Sequence, residues 1–124
     1  MVNAGVDFVV VSVNLGVQGV AEAAKAAPGP VLFTTYYTDK PSIAPNLLSV
    51  SLLSDFATPY VQIARSIQAG TRGGYLEMRP GSGFKLSEIR NAPPTASQQA
   101  QDAFNAVASG KKDLPEITDK IVGE

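Results

Sequence analysis

The sequence predicts an α/β fold: a three-layer, parallel-sheet lobe closed by a C-terminal hairpin and helix. Three observations predict it. Asp7-Phe-Val-Val-Val-Ser-Val13 is a β-branched run without polar alternation, which is how a strand covered on both faces of a parallel sheet reads. Residues 17–27 follow with Val17, Val20, Ala21, Ala24 and Ala27 at helical spacing, and Pro30-Val-Leu-Phe-Thr-Thr35 is a second buried strand. A strand, a helix and a strand in this order form a crossover unit, expected to be right-handed with its strands parallel.

The remaining elements follow from punctuation and period. Asn14 is expected to cap the first helix, and Pro28-Gly29-Pro30 to end it. Residues 36–46 carry two prolines and lead to a third apolar run, Leu47-Leu-Ser-Val-Ser-Leu-Leu53. Ser54 or Asp55 caps a helix over residues 56–69, with Phe56, Tyr60, Ile63, Ala64 and Ile67 as its apolar stripe and Gly70 as its stop. Pro59 is tolerated only because it falls in the first turns. Residues 75–79 and 84–89, on either side of Pro80-Gly-Ser-Gly83, read as a hairpin. A polar amphipathic helix runs from Thr95 or Ser97 to Ala108, Gly110 ends it, and residues 114–121 form a short helix or an extended tail.

Composition narrows the chemistry. The 124 residues fit one domain, 1–124, with a core of modest stability. There is no His and no Cys, so a Cys/His zinc site, a Ser-His or Cys-His catalytic pair and a disulfide are all excluded; no cofactor is expected, and an enzyme is disfavoured. Ten Lys+Arg stand against eleven Asp+Glu, and Lys111-Lys112 is the longest basic run, which leaves no footprint for gripping nucleic acid. The most apolar stretch, residues 8–13, is far short of the ~20 residues that span a bilayer, and the first residues lack a basic region followed by an apolar one, so the sequence taken literally is expected to carry no export signal.

In an open α/β sheet, ligands lie beyond the carboxyl ends of the strands, so the turns after the strands are the candidate site. After the first strand comes Asn14-Leu15-Gly16, where backbone N–H groups at a helix start can meet a polar ligand oxygen, or simply begin the helix. After the second comes Tyr36-Tyr37-Thr38-Asp39-Lys40, in which aromatic faces beside a carboxylate suit a planar, hydroxylated molecule. The plainer alternative is an ordinary loop with Asp39 and Lys40 solvated and one Tyr in the core. Arg72, Arg79 and Arg90 read as surface charge, and Glu77 and Glu88 as exposed carboxylates.

Taken in order, Ala4-Gly-Val-Asp-Phe-Val-Val10, Gly16-Val-Gln-Gly-Val-Ala-Glu-Ala-Ala-Lys25, residues 31–39, Ile43-Ala-Pro-Asn-Leu-Leu-Ser49, Ile67-Gln-Ala-Gly-Thr-Arg-Gly-Gly74 and Ala106-Val-Ala-Ser-Gly-Lys-Lys-Asp-Leu-Pro115 resemble the basic-membrane-protein (BMP) family. These are PnrA-like substrate-binding lipoproteins of ABC transporters, with a type 1 periplasmic-binding-protein fold, and several bind purine nucleosides. The resemblance covers nearly the whole chain but only about the last third of a family member. It implies an incomplete C-terminal lobe, with the first lobe absent and the solute normally held between lobes by hinge closure. The family's Gly-rich turn falls on residues 14–19 and its acidic turn on residues 37–40. Asp39 matches the second acidic position. Tyr37 stands where a ribose-binding Asp is usual, and Leu53 where a Lys is often found.

Two functions are therefore expected. In the first, the chain is a solute-binding component of an importer, with Asn14, Gly16, Tyr36, Tyr37 and Asp39 lining one wall of the site and a transporter permease as partner. In the second it is a truncated, non-enzymatic lobe that self-associates, as a homodimer or with a chain supplying the missing lobe. The resemblance implies the periplasm or cell surface; the chain as written, if Met1 is the true start, implies the cytoplasm.

Overall fold

The computed structural model describes residues 5–113, so the tail expected over residues 114–121 lies outside the described residues. Five strands and three helices alternate: β1 (Phe8–Val9), α1 (Val17–Lys25), β2 (Leu32–Tyr37), β3 (Leu48–Ser54), α2 (Ala57–Gln68), β4 (Arg79–Pro80), β5 (Gly83–Leu86) and α3 (Pro94–Ala108). They form one sheet of order β1-β2-β3-β5-β4. β1, β2 and β3 are parallel, as the crossover pattern predicts, with Val9 opposite Phe33 and Tyr37 opposite Leu53. β5 then runs antiparallel to β3, with Leu86 opposite Leu52 and Phe84 opposite Ser54. This is a mixed α/β fold with a mostly parallel sheet.

The core lies where α1 crosses β2. Small residues on the helix let it approach closely, and Val17, Ala21 and Ala24 close over Val11, Val31, Phe33, Ala44 and Leu48. Phe33 and Leu48 are fully enclosed. At about 1.5–3 kcal/mol per large apolar side chain, this cluster is the main stabilising unit of the fold.

Four sequence expectations change. The strand expected over 7–13 contracts to two paired residues at the sheet's outer edge, where only Val11 of the run is buried and Val10 is 79% exposed. A strand with a neighbour on one side cannot be covered as an interior strand is. The expected stripe of α2 is present but stays largely exposed: of the helix's residues only Pro59, which lies off the stripe, is buried. The strand expected over 75–79 is reduced to Arg79–Pro80. The turn between β4 and β5 is present, with Arg79 and Ser82 exchanging backbone hydrogen bonds of 2.8 Å, but the main partner of β5 is β3. Gly16, not Asn14, occupies the N-cap of α1. No helix among the described residues is long and apolar enough to cross a membrane.

Candidate functional site

Tyr36 and Tyr37 end β2 rather than lying in the turn after it. Successive strand residues normally face opposite sides of a sheet, which would separate their rings. Tyr37 instead has φ +74°, and the Thr38 N–H donates to the Tyr36 carbonyl at 3.1 Å, the i→i+2 closure of a γ-turn centred on Tyr37. That strained turn brings the two rings to 4.1 Å between centroids.

The pair is the centre of a longer aromatic row. Phe84 lies 6.3 Å from Tyr36, Phe56 lies 6.2 Å from Tyr37, and Tyr60 lies 6.3 Å beyond Phe56 and nearly parallel to it. All five rings gather at the carboxyl ends of β2 and β3 and the start of α2. Tyr36 and Phe84 are half-buried while Tyr37, Phe56 and Tyr60 are exposed, so the row has a fixed base and an open face. The buried Ser54 hydroxyl, in register with Phe84, has no hydrogen-bond partner among the described residues. Buried polar groups are usually satisfied, which sets this hydroxyl apart.

A polar brace stands behind the row. The Asp39 carboxylate is gripped by both terminal nitrogens of Arg90, at 3.1 and 2.7 Å, and accepts from the Ser51 hydroxyl at 2.7 Å. Ser51 in turn accepts from Thr35 at 2.7 Å, and both hydroxyls are buried. Arg90 and, second to it among the favourable contacts, Ser51 hold the Asp39 carboxyl below its ordinary value, against the opposing effect of burial. Next along the chain, Asn91 takes a left-handed conformation and donates its side-chain amide to the carbonyls of Pro45 and Leu48, at 2.8 and 2.9 Å. Asp55 holds the start of α2: its Oδ1 accepts from the Ala57 N–H at 3.1 Å, and its Oδ2 from the Thr58 hydroxyl at 3.1 Å.

Of the residues expected at the site, Tyr36 and Tyr37 come together in the row. Asn14 is exposed and accepts from the Lys40 ammonium at 3.0 Å, which ties the turn after β1 to the turn after β2. Gly16 begins α1, and a side chain there would meet Val13 at 3.0 Å. Two readings of this region are corrected. Asp39 and Arg90 are not solvated surface charges, and Asp39 does not present a free carboxylate to a ligand, because both its oxygens are already engaged. Phe56, Tyr60 and Phe84, which join the row, are not among the residues the sequence singles out. The first two have core-like helical spacing, and nothing in the sequence shows that their helix remains uncovered.

A second feature lies at the other end of the strands. There an open groove of about 530 Å³ is lined by Asp7, Phe8, Pro30, Leu32, Asn46 and Asn91. It lacks the stacked rings of the carboxyl edge.

An open sheet with three parallel strands, a helical crossover and an antiparallel strand returning beside β3 is a partial fold matching one lobe of a solute-binding protein. An ABC transporter solute-binding protein from Conexibacter woesei DSM 14684 matches it with TM-score 0.56 and 21% identity, over 91% of this chain. The chain spans 38% of the length of that protein. No family model and no curated protein sequence matches the chain.

Proposed function

We propose that the chain acts as part of a solute-binding protein of an ABC importer, and that its site is the aromatic row at the carboxyl edge of β2 and β3. The observation that carries this reading is the strained turn at Tyr37. A non-glycine residue at φ +74° costs on the order of 1–3 kcal/mol, and such strain clusters at ligand-binding positions. Here it sets two tyrosine rings side by side where ligands of open α/β sheets bind. No chemical step is involved.

The rings supply stacking surface, and the Tyr hydroxyls, the Lys40 ammonium and the Asn14 amide supply polar contacts around it. The start of α1 at Gly16 adds backbone N–H groups, and Asp39 braces the turn from behind. This chemistry suits a small planar solute bearing hydroxyl groups, such as a nucleoside. The sequence resemblance to the BMP family supports the same class, and with it a permease partner and a place in the periplasm or at the cell surface.

The experiment is a thermal melt of the chain with nucleosides and related planar solutes at millimolar concentration. A solute at ~100 times its dissociation constant adds about 2.7 kcal/mol, a shift of several degrees at this size. Tyr37→Ala should abolish the shift. A shift that survives Tyr37→Ala places binding elsewhere, and no shift with any solute removes the reading.

A further inference from the structure

We infer that the uncovered face of α2 is a homodimer interface, on which a second copy of this chain lays its own α2 antiparallel. The inference stands on the helix alone and holds whether or not a solute binds.

A helix of twelve residues is marginal in water unless one face is covered. Of the residues of α2 only Pro59 is buried, while Tyr60 and Ile67 are 66% and 64% exposed and Phe56, Val61 and Ile63 are each exposed by more than 40%. The spacing of Phe56, Tyr60, Ile63 and Ile67 is four, three and four residues, that of a coiled-coil seam. At 3.6 residues per turn, these four lie within about 60° of arc. Ala57 and Ala64 flank the seam on one side and allow close approach. Arg65, the sole charge on the helix, lies away from it, so two copies can meet without bringing like charges together.

The seam is complementary to itself when reversed. Its aromatic residues occupy the first half and its aliphatic residues the second, so antiparallel pairing sets Phe56 against Ile67 of the second copy and Tyr60 against Ile63, with each contact made twice. The four seam residues present on the order of 400 Å² per copy. Two copies bury roughly 800 Å², the size of a weak, reversible interface. The seam also continues into the aromatic row through Phe56 and Tyr60, so the second copy closes one side of that row.

Sedimentation equilibrium of the full chain tests the inference, together with Tyr60→Lys and Ile63→Glu. The expected result is a dimer for the unmodified chain and a monomer for each variant alone, with the far-UV helical signal lowered by no more than the twelve residues of α2. Because residue 60 faces residue 63 of the second copy, mixing the two variants sets Lys against Glu at one contact and leaves Tyr against Ile at the other, which restores the dimer. A monomeric unmodified chain at several hundred micromolar overturns the inference. So does an Ile63→Glu chain that remains dimeric, which would place the contact elsewhere, for instance along the open edge of β1. Monomeric variants that do not recombine overturn the antiparallel arrangement.

Discussion

α1 and α2 follow parallel strands of the same sheet, and each carries an apolar stripe at helical spacing, yet their fates differ. α1 has nine residues, and Val17, Ala21 and Ala24 vanish into the core; α2 has twelve, with larger side chains on its stripe, and these stay largely exposed. The more hydrophobic-looking side chains are the less buried. Period thus identifies the face of a helix that can be covered, whereas burial depends on whether another surface lies opposite. For α1 that surface is β2; for α2 none exists among the described residues.

Identical deletions on the two sides give the sharpest test of this contrast. Phe33→Ala empties a fully enclosed site and should cost about 4 kcal/mol, whereas Phe56→Ala in dilute solution should cost less than about 1 kcal/mol. Val17→Ala, at a residue 1% exposed, should cost about 2 kcal/mol, and Val61→Ala, at one 49% exposed, less than about 0.5 kcal/mol. Urea denaturation at low protein concentration measures all four. Equal losses in either pair would show that α2 is packed in solution and would break the comparison.

A smaller effect comes from the brace behind the aromatic row. Arg90 lowers the Asp39 carboxyl in the folded chain, so the pair's contribution is present above the ordinary value of 3.8 and is lost as pH falls through the lowered folded value. The melting temperature of the unmodified chain should therefore fall below pH 3.8 more steeply than that of Asp39→Asn. Parallel acid profiles would show that the ion pair is not formed in solution. Asp55, lowered chiefly by its hydrogen bonds from Thr58, titrates in the same direction in both proteins and cancels from the difference.

Much of the fold is legible in the sequence where the signal is local. The spans of α1, α2, α3, β2 and β3 emerge within two or three residues of the expected ends, because Gly, Pro and the apolar period act over a few positions. The candidate site is legible in part. Tyr36 and Tyr37 stand at a strand end as expected, but the γ-turn that pairs their rings needs the φ of one residue, which no periodicity encodes. The Asp39–Arg90 contact joins residues 51 positions apart, and nothing local distinguishes Arg90 from the other arginines. The strand at residues 7–13 fails for a different reason: its composition suits an interior strand, and among the described residues it has a neighbour on one side only.

The contacts of Arg90 and Asn91 bear on the order of assembly. Pairing of β1, β2 and β3 with α1 over them uses short stretches of chain, whereas Arg90 reaches Asp39 across 51 residues and Asn91 reaches Pro45 across 46. Longer loops lose more chain entropy before a contact rewards them, so the parallel strands can form first and this clasp last. Amide hydrogens of β5 should accordingly exchange with deuterium before those of β2; the reverse order would mean that the clasp forms early. A chain leaving the ribosome then acquires its core first, and the Asp39 carboxylate two residues beyond Tyr37 is clasped only when residue 90 arrives.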